Sequence, residues 1–333
     1  MSPAVPRLVA LSAVWRVLLR VVGASLVISA LALAGVYAYW GEHGLNHVLH
    51  GTVMTWTTVT ADDARMSAGM RLALRDRSVS ATPGAFAWQP IAPGFEVGEL
   101  PVIADGAEVD RILLARVDPA RFRFIVRTAP AGDRTLDDWM RELSAALVIN
   151  GSYFTRTGEP DTPLVSAGVR LGPRQYIANH GAFVASTHST RIRDLAAEDW
   201  HIALNGADDA MVSFPLLVAG DGTSRVHADW RWLANRSFVG QDDVGRIVLG
   251  TTVDAFFSLD RLAGFLRAAP LGLALALNLD GGPVASQGIA LNGYRRKICG
   301  RFELAAHDDR FSLLYERATR CQDMPIALAV LPR

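Results

Sequence analysis

The chain is organised around an apolar run that ends abruptly in polar residues. Residues 271–279 are almost entirely apolar and are followed by Asp280-Gly281-Gly282, a pattern typical of a strand buried on both faces. Because side chains alternate along a strand, Asn278 and Asp280 share one face and leave the sheet side by side. Two glycines let other backbone approach the carboxylate closely. A simple tight turn is the alternative interpretation, since the same residues favour turns.

A second helix-and-strand unit repeats this pattern. Residues 135–147 predict an amphipathic helix that leads into an apolar strand ending at Asn150-Gly151. Residues 258–269 predict the helix that precedes the strand of Asp280. If the two strands run parallel in one sheet, their polar ends open on the same side, where open α/β sheets bind ligands. The two units therefore predict one shared site.

The remaining pattern predicts an α+β domain. Thr135 and Asp138 have the spacing of a capping box at the start of the first helix. Further apolar runs predict strands at residues 112–117, 121–126, 215–219, 246–252 and 326–331. We therefore predict a domain of residues 99–333 with a central mixed β-sheet and packed helices.

The N-terminal part predicts a membrane segment followed by a stalk. Residues 21–40, from Val21 to Trp40, carry no charge and are long enough to cross a bilayer. The basic segment 1–20 precedes them, which predicts a single-pass anchor with a cytoplasmic N-terminus and a periplasmic or extracellular main domain. A cleaved signal peptide is the alternative, because small residues near the end of the segment resemble cleavage sites. Prolines and glycines in residues 41–98 indicate a stalk or linker.

Composition and motifs exclude several functional classes. Basic and acidic residues number 33 each, so there is no overall positive field to hold nucleic acid. The sequence has no P-loop, HExxH or GxSxG motif, and we predict neither a cofactor nor a metal site. Cys299 and Cys321 lie in the exported part, where thiols oxidise, and we expect one disulfide. Two buried free thiols are the alternative, and a pair of metal ligands is less favoured because no second pair is present. The oligomeric state is not indicated.

Four ordered motifs give the chain a resemblance to a known family. They are NGSYF at 150–154, PLLVAGDG at 215–222, NRSFVGQDDVGRIVL at 235–249 and ALNLDGG at 276–282. Their order and spacing resemble those of the phosphodiester glycosidase family, over roughly residues 99–332. The resemblance implies hydrolysis of a sugar-1-phosphodiester at the anomeric carbon. It also implies a sugar-phosphate or glycan substrate and a link to surface or exopolysaccharide metabolism.

The resemblance and the residue chemistry together suggest roles. Asp280 would activate water or stabilise an oxocarbenium-like centre, and Arg236 would hold the phosphate with its planar fork. Asn150 and Asn278 would hydrogen-bond sugar hydroxyls or the attacking water, and Tyr153 would stack on the sugar ring. The further binding candidates are Gly151, Gly281, Gly282 and Ser286, with Asp221 and Asp242 as candidates for a second carboxylate.

Two other functions are compatible with the sequence. Family members commonly follow Asp-Gly-Gly with another Gly or Ser and then Ser or Thr, whereas this chain has Pro-Val-Ala at residues 283–285. That departure allows a non-catalytic glycan-binding or assembly protein on the same fold. The other alternative is a metal-dependent phosphoesterase that uses Asp221, Asp254 and Asp280 as oxygen ligands.

Overall fold

The structure is a computed structural model that describes residues 6–50, 56–227, 229–307, 310–315 and 321–333. Within the N-terminal helix it describes the side chains of residues 15–38. The chain divides into two compact units, Met1–Thr57 and Thr58–Arg333.

The first unit contains one long helix, α1 (Pro6–His50). Its apolar part, Trp15–Ala38, has 24 residues and a mean hydropathy of 2.3, which is sufficient to cross a bilayer. The described side chains of this helix are mostly exposed, as expected of a helix that buries its surface in lipid. A membrane anchor and a signal segment both fit this helix. Residues 1–5 of the predicted basic segment and the side chain of Trp40 lie outside the described part.

Strands outnumber helices in the chain after α1. The first elements in chain order are β1 (Trp56–Val59), α2 (Ala68–Arg75), β2 (Thr82–Pro83), β3 (Gln89–Ala92), β4 (Phe95–Ala104), β5 (Ala107–Val117), β6 (Phe122–Thr128), α3 (Leu136–Glu142), β7 (Leu147–Asn150), β8 (Leu164–Ser166), β9 (Val169–Leu171), β10 (Gly181–Ala185), β11 (Thr190–Asp194), α4 (Trp200–Ala203) and β12 (Asp209–Ser213). They are followed by β13 (Leu216–Val218), β14 (Trp232–Ala234), β15 (Ser237–Asp242), β16 (Ile247–Thr252), α5 (Leu259–Ala268), β17 (Leu273–Asn278), a 3₁₀ turn (Gly282–Val284), β18 (Ser286–Leu291), β19 (Tyr294–Cys299), β20 (Phe302–His307), β21 (Arg310–Tyr315) and β22 (Ile326–Pro332).

The strands of the described residues form four sheets. The largest has the order β13-β17-β15-β16-β5-β4-β2, with β3 also paired to β4. A five-stranded sheet has the order β19-β18-β7-β22-β6, a second has β11-β10-β12-β8-β9, and a four-stranded sheet has β1-β21-β20-β14. With helices packed on these sheets, the predicted α+β class is confirmed.

The two sheets that carry the motif strands pack face to face. Leu113 of β5 and Leu277 of β17 share a buried core with Ile149 of β7 and Leu328 of β22. Helices α2 and α5 cover the other face of the largest sheet. Helix α3 covers the outer face of the five-stranded sheet that contains β7 and β22, where its Trp139 is buried. The site described below therefore lies where two packed sheets meet.

The topology corrects one expectation about the motif strands. The shared site is expected on the condition that the strands ending at Asn150 and Asn278 run parallel in one sheet, yet β7 and β17 belong to different sheets. Strand β7 pairs antiparallel with β18 and β22, and β17 pairs antiparallel with β13 and β15. Their antiparallel neighbours occupy both edges of each strand. The strand ends are brought together by sheet-on-sheet packing instead.

The second half of the expected stalk is part of the folded unit. Met70 and Ala73 of α2 are fully buried in the core beside Ile112 of β5, and Ser67 caps α2 by accepting a hydrogen bond from the Met70 N–H. Residues 58–98 thus differ from a stalk in the structure. The buried face of α2 spans only about two turns, which is too short for periodicity to identify reliably.

The two cysteines form the expected disulfide. Cys299 and Cys321 are bonded, with their Cα atoms 4.9 Å apart. The bond joins the end of β19 to the segment that leads into β22.

Candidate active site

The ends of β7 and β17 meet through direct hydrogen bonds. The Asp280 backbone N–H donates to the Gly151 carbonyl at 3.1 Å, and Asn150 Nδ2 donates to the Asp280 carbonyl at 2.8 Å. Asn150 Oδ1 accepts the backbone N–H of Ser286 at 3.1 Å. Both ends of the buried Asn150 amide are therefore used to tie three segments of backbone together.

Arg236 lies buried between β14 and β15, close to the carboxylate of Asp280. Its Nη2 donates to the Trp232 carbonyl at 2.8 Å and its Nε to the Phe257 carbonyl at 3.2 Å. Among the described residues, no carboxylate forms an ion pair with it. Burial lowers the pKa of the guanidinium, although nearby acidic groups including Glu303 oppose this effect. A guanidinium is not deprotonated in proteins, so the side chain remains a buried cation.

Two carboxyl groups with raised pKa values flank this cation. Burial raises the pKa of Asp280 to about 7, and the Glu303 carboxylate adds to the rise while the Gly281 N–H and Arg236 oppose it. The Gly281 N–H donates to Asp280 Oδ1 at 2.8 Å. Burial also raises the pKa of Glu303. Raised carboxyl pKa values beside a fixed cation are typical of acid–base chemistry near neutral pH.

Trp232 connects the second carboxyl group to the arginine. Its Nε1–H donates to Glu303 Oε1 at 2.8 Å, while its carbonyl accepts from Arg236. The hydrogen bond opposes the rise in the Glu303 pKa because it favours the charged carboxylate. The residue is nevertheless 42% exposed, so Trp232 contacts both charged groups and solvent.

Tyr153 faces other protein groups, and Phe214 covers it. The two rings stack with centroids 4.4 Å apart. The Tyr153 hydroxyl donates to the Phe214 carbonyl at 2.7 Å and accepts from Asn278 Nδ2 at 2.8 Å. Burial raises the pKa of the Tyr153 hydroxyl, which stays protonated at neutral pH. The more exposed ring at this position is Phe214, at 36%.

The glycines after Asp280 are required by close contacts. Gly282 has a φ of +69°, a region that favours glycine, and an added Cβ would lie 2.7 Å from Glu303 Oε2. Its N–H donates to the Asn235 carbonyl at 2.9 Å. An added Cβ at Gly281 would lie 3.1 Å from the same Asn235 carbonyl. The two glycines thus let the Asp280 backbone pass beside β14 and β20.

The structure separates two predicted carboxylates from this cluster. Asp221 is exposed and accepts from the N–H and hydroxyl of Thr223 in its own turn. Asp242 is buried in an ion pair with Arg246 at 2.7 Å. Asp242 lies at the far end of β15, roughly 13 Å along the strand from Phe238, the residue paired with Asn278. No described contact joins either carboxylate to Asp280.

Two further predicted groups have defined surroundings. Ser286 is fully buried, and among the described residues its hydroxyl has no hydrogen-bond partner.

The three possible metal ligands Asp221, Asp254 and Asp280 do not assemble, because the described residues contain no group of three or more metal-binding side chains. Asp254, one member of that trio, instead accepts a hydrogen bond from the Ala255 N–H and donates its backbone N–H to Asp110.

A cavity of about 290 Å³ opens beside Arg236. Its aromatic lining comes from Phe214 and Trp232. The rest of the lining includes two histidines, His180 and His227, and the charged residues Arg225 and Asp229. Burial lowers the pKa of His180, and the neighbouring Arg225 adds to this effect. The cavity therefore offers apolar ring surfaces next to a buried cation.

Three residues of this cluster escape prediction from sequence. Glu303 lies in β20 within an ordinary alternating pattern, and Trp232 and Phe214 flank loops without a motif of their own. The one sequence signal is the position of Phe214 directly before the PLLVAGDG motif. Their proximity to Asp280 arises from pairing of β14 with β20 and from sheet packing, neither of which is local in sequence.

Comparisons with known proteins agree with the motif resemblance. Residues 144–297 match the family model of the phosphodiester glycosidases, a segment that holds Asn150, Arg236 and Asp280. A comparison with curated proteins finds no match.

The fold is also similar to those of solved structures. The catalytic domain of zebrafish N-acetylglucosamine-1-phosphodiester alpha-N-acetylglucosaminidase, in a form auto-inhibited by its pro-peptide, has a TM-score of 0.51 and 17% identity, covering 77% of this chain and 89% of that one. A hypothetical protein from Synechocystis has a TM-score of 0.46 and 16% identity, covering 77% and 68% respectively. The resemblance to the phosphodiester glycosidase family is therefore confirmed by the match over residues 144–297 and by the fold shared with the zebrafish domain.

Proposed function

We propose that this protein hydrolyses a sugar-1-phosphodiester at the anomeric carbon, releasing the sugar and a phosphomonoester. The observation that carries the proposal is the buried Arg236 cation, which forms no ion pair with a carboxylate among the described residues and interacts electrostatically with Asp280 and Glu303. A bound phosphodiester anion would make the direct contact with this cation that neither carboxylate makes. The family match supports the same class of hydrolase.

Arg236 would bind the phosphate. Its backbone contacts use Nε and Nη2, which leaves Nη1, the nitrogen that lies near Gly281, to face a ligand. A guanidinium held by two carbonyls is preorganised, so little side-chain entropy is lost when the anion binds. A buried charge-assisted hydrogen bond of this kind is stronger than one in water.

Asp280 would act as the general base. Its ionised carboxylate takes a proton from water as the water oxygen forms a bond to the anomeric carbon. The bond between that carbon and the phosphate oxygen breaks, and its electron pair stays on the phosphomonoester. A phosphate leaving group is acidic and needs little protonation, so the second carboxylate, Glu303, would stabilise positive charge at the oxocarbenium-like centre.

The remaining predicted residues would act by position. Asn150 already uses both ends of its amide, so it would hold the Asp280 backbone instead of contacting sugar. Asn278 would orient Tyr153 and the Phe214 segment. Ser286 is fully buried and would contribute its backbone to the same frame.

The substrate and the location of the protein are parts of the proposal. The name of the zebrafish relative makes an N-acetylglucosamine-1-phosphodiester the first substrate to test. The apolar helix Trp15–Ala38 supports a membrane-anchored enzyme with its main domain in the periplasm or outside the cell. That placement agrees with a role in surface or exopolysaccharide metabolism.

The test is hydrolysis by the full-length protein in detergent. Released sugar and phosphomonoester are followed for the wild type, Asp280→Asn, Glu303→Gln and Arg236→Lys. Asp133→Asn is the matched control, since the Asp133 side chain is 58% exposed in a surface ion pair. We expect loss of roughly 10²–10⁴-fold in kcat for Asp280→Asn and an increase of about tenfold or more in KM for Arg236→Lys. Glycan binding without turnover by the wild type would favour the non-catalytic alternative.

A further inference from the structure

A buried carboxyl group outside the candidate site is connected to Arg236 through a short loop. Asp110 of β5 is 5% exposed, and its Oδ1 accepts the backbone N–H of Asp254 at 2.8 Å and that of Arg111 at 2.7 Å. Its Oδ2 is buried and has no hydrogen-bond partner among the described residues. Burying such a group costs free energy, and proteins retain it where its hydrogen bonds hold backbone in place or serve chemistry.

The loop that Asp110 holds at Asp254 also holds the backbone of Arg236. Thr252 Oγ1 donates to the Asp254 carbonyl at 2.8 Å and accepts the Arg236 N–H at 2.9 Å. The Thr252 N–H donates to the Arg236 carbonyl at 2.9 Å. Both polar groups of the Arg236 main chain are therefore bonded to one threonine, which is itself bonded to the residue that Asp110 holds.

The far end of the same loop holds the guanidinium. Arg236 Nε donates to the Phe257 carbonyl at 3.2 Å, and the Ala234 N–H donates to the same carbonyl at 3.3 Å. The loop of residues 254–257 thus has one end at Asp110 and the other at the guanidinium. A displacement of this loop would move the Phe257 carbonyl and change the direction in which Arg236 Nη1 points.

We infer that Asp110 and Thr252 are positioning residues for Arg236, because they hold the loop that fixes both its backbone and its guanidinium. They act through Arg236 and take no part in the chemical step. The inference rests on the proposed function for the ligand of Arg236, a phosphate group. Misplacement of a binding group by about 1 Å can lower a rate by about 10²-fold, so a loosened loop should weaken phosphate binding.

Two substitutions at Asp110 distinguish positioning from packing. Burial raises the pKa of Asp110, and the Asp254 carboxylate adds to the rise, so the environment favours the neutral acid. Asp110→Asn therefore keeps a neutral group of the same size with an oxygen for the two N–H groups, whereas Asp110→Ala removes the acceptor. Val102→Ala is the matched control, because Val102 of β4 is the register partner of Asp110 and is fully buried, yet its apolar side chain cannot hold the loop.

Thr252 offers a second pair of substitutions on the same path. Thr252→Val removes the hydroxyl and keeps the shape of the side chain, whereas Thr252→Ser keeps the hydroxyl. Melting curves establish which variants fold. If Asp110→Ala does not fold, the Thr252 pair carries the test, because it breaks the same path at a position that contacts Arg236 directly.

Two probes measure the effect on the full-length protein in detergent. Binding of inorganic phosphate is measured by calorimetry, and hydrolysis of an N-acetylglucosamine-1-phosphate methyl diester gives kcat and KM. We expect Asp110→Ala and Thr252→Val to weaken phosphate binding and raise KM by about tenfold or more, with kcat within about threefold of wild type because a binding group alone is misplaced. Asp110→Asn, Thr252→Ser and Val102→Ala should keep phosphate affinity and KM within about threefold of wild type, although Val102→Ala should lower the melting temperature.

The inference is overturned if a folded Asp110→Ala or Thr252→Val variant keeps the phosphate affinity and KM of the wild type. It is also overturned if Val102→Ala loses as much phosphate affinity as Asp110→Ala, because the effect would then follow from lower stability. If the variants show the expected losses of phosphate binding and the wild type releases no sugar, the proposed hydrolysis fails while the positioning role stands. A wild type that neither binds phosphate nor releases sugar would overturn both.

Discussion

At the scale of single residues, the site consists of charges buried where water cannot fully screen them. Arg236, Asp280 and Glu303 each have a pKa displaced by burial toward the neutral form. Keeping such groups away from water costs free energy, and proteins retain them where they serve chemistry. The cluster is therefore expected to lower stability in exchange for reactivity.

The raised pKa of Asp280 predicts how stability depends on pH. The folded state has a pKa of about 7, against about 3.9 for an unfolded aspartate. Between these values the folded protein binds more protons than the unfolded chain, so the free energy of unfolding falls as pH rises from about 4 to 7. The substitution Asp280→Asn should remove this pH-dependent loss of stability. We therefore expect the melting temperature of Asp280→Asn to exceed that of the wild type by a larger margin at pH 8 than at pH 5.

The same pH series on Asp133→Asn is the control, since the Asp133 carboxylate is mostly exposed. The melting temperatures of the wild type and Asp280→Asn could instead differ by the same amount at pH 5 and at pH 8. That result would contradict a pKa of Asp280 raised by burial.

Sequence patterns identify some of these residues and miss others for a clear reason. Asp280, Asn150 and Arg236 belong to motifs, and the structure places them within one cluster. Tyr153 is also in a motif, yet its ring packs under Phe214, because alternation along the chain does not say which neighbour covers a side chain. Glu303 is brought in by strand pairing far along the chain and has no local signal.

At the scale of elements, the turn after β17 determines how the carboxyl groups approach each other. Gly282 adopts a left-handed conformation beside Glu303. Asp-Gly-Gly is a pattern typical of turns, and the capping box of Thr135 and Asp138 is present as predicted. Local rules suffice for both features, because each depends on residues within a few positions of one another.

Gly282→Ala separates backbone strain from crowding of the site. The new Cβ would lie 2.7 Å from Glu303 Oε2, so we expect at least tenfold lower kcat and a stability loss above the roughly 1 kcal/mol of a left-handed alanine. Gly106→Ala is the matched control, since Gly106 has a φ of +72° with nothing within 4 Å of an added Cβ.

Thermal melts and hydrolysis assays of both variants provide the comparison. The two variants could lose the same stability and both keep the kcat of the wild type. That result would mean that the contact between residue 282 and Glu303 affects neither stability nor catalysis.

At the scale of the whole molecule, the position of the site depends on how sheets pack. The elements of the two motif units are largely predictable from sequence, including helix α5 and the strand β17. Their assignment to separate sheets is not predictable, because an apolar strand pairs equally well with several partners until the tertiary fold selects among them. The folding of residues 58–98 onto the core is missed for another reason, because helix α2 has only eight residues and its periodicity is too short to identify reliably.

The disulfide links the site to the global fold. Cys299 precedes Gly300 and Arg301, and the backbone N–H of Arg301 donates to Asn235 Oδ1 at 2.8 Å. Replacing Cys299 and Cys321 by alanine should cost about 3 kcal/mol of unfolding free energy for a loop of 22 residues. It should also lower kcat, because Glu303 follows shortly in β20. Denaturant unfolding and hydrolysis assays measure the two effects, and a variant as stable and active as the wild type would contradict this account.

The central claim is that Asp280 drives hydrolysis of a sugar-1-phosphodiester. The most direct measurement is release of sugar from an N-acetylglucosamine-1-phosphodiester by the full-length protein and by Asp280→Asn, with phosphomonoester quantified in the same reaction. The account predicts equal amounts of both products from the wild type and a rate lower by roughly 10²–10⁴-fold for the variant. Full activity in a correctly folded Asp280→Asn protein would contradict it.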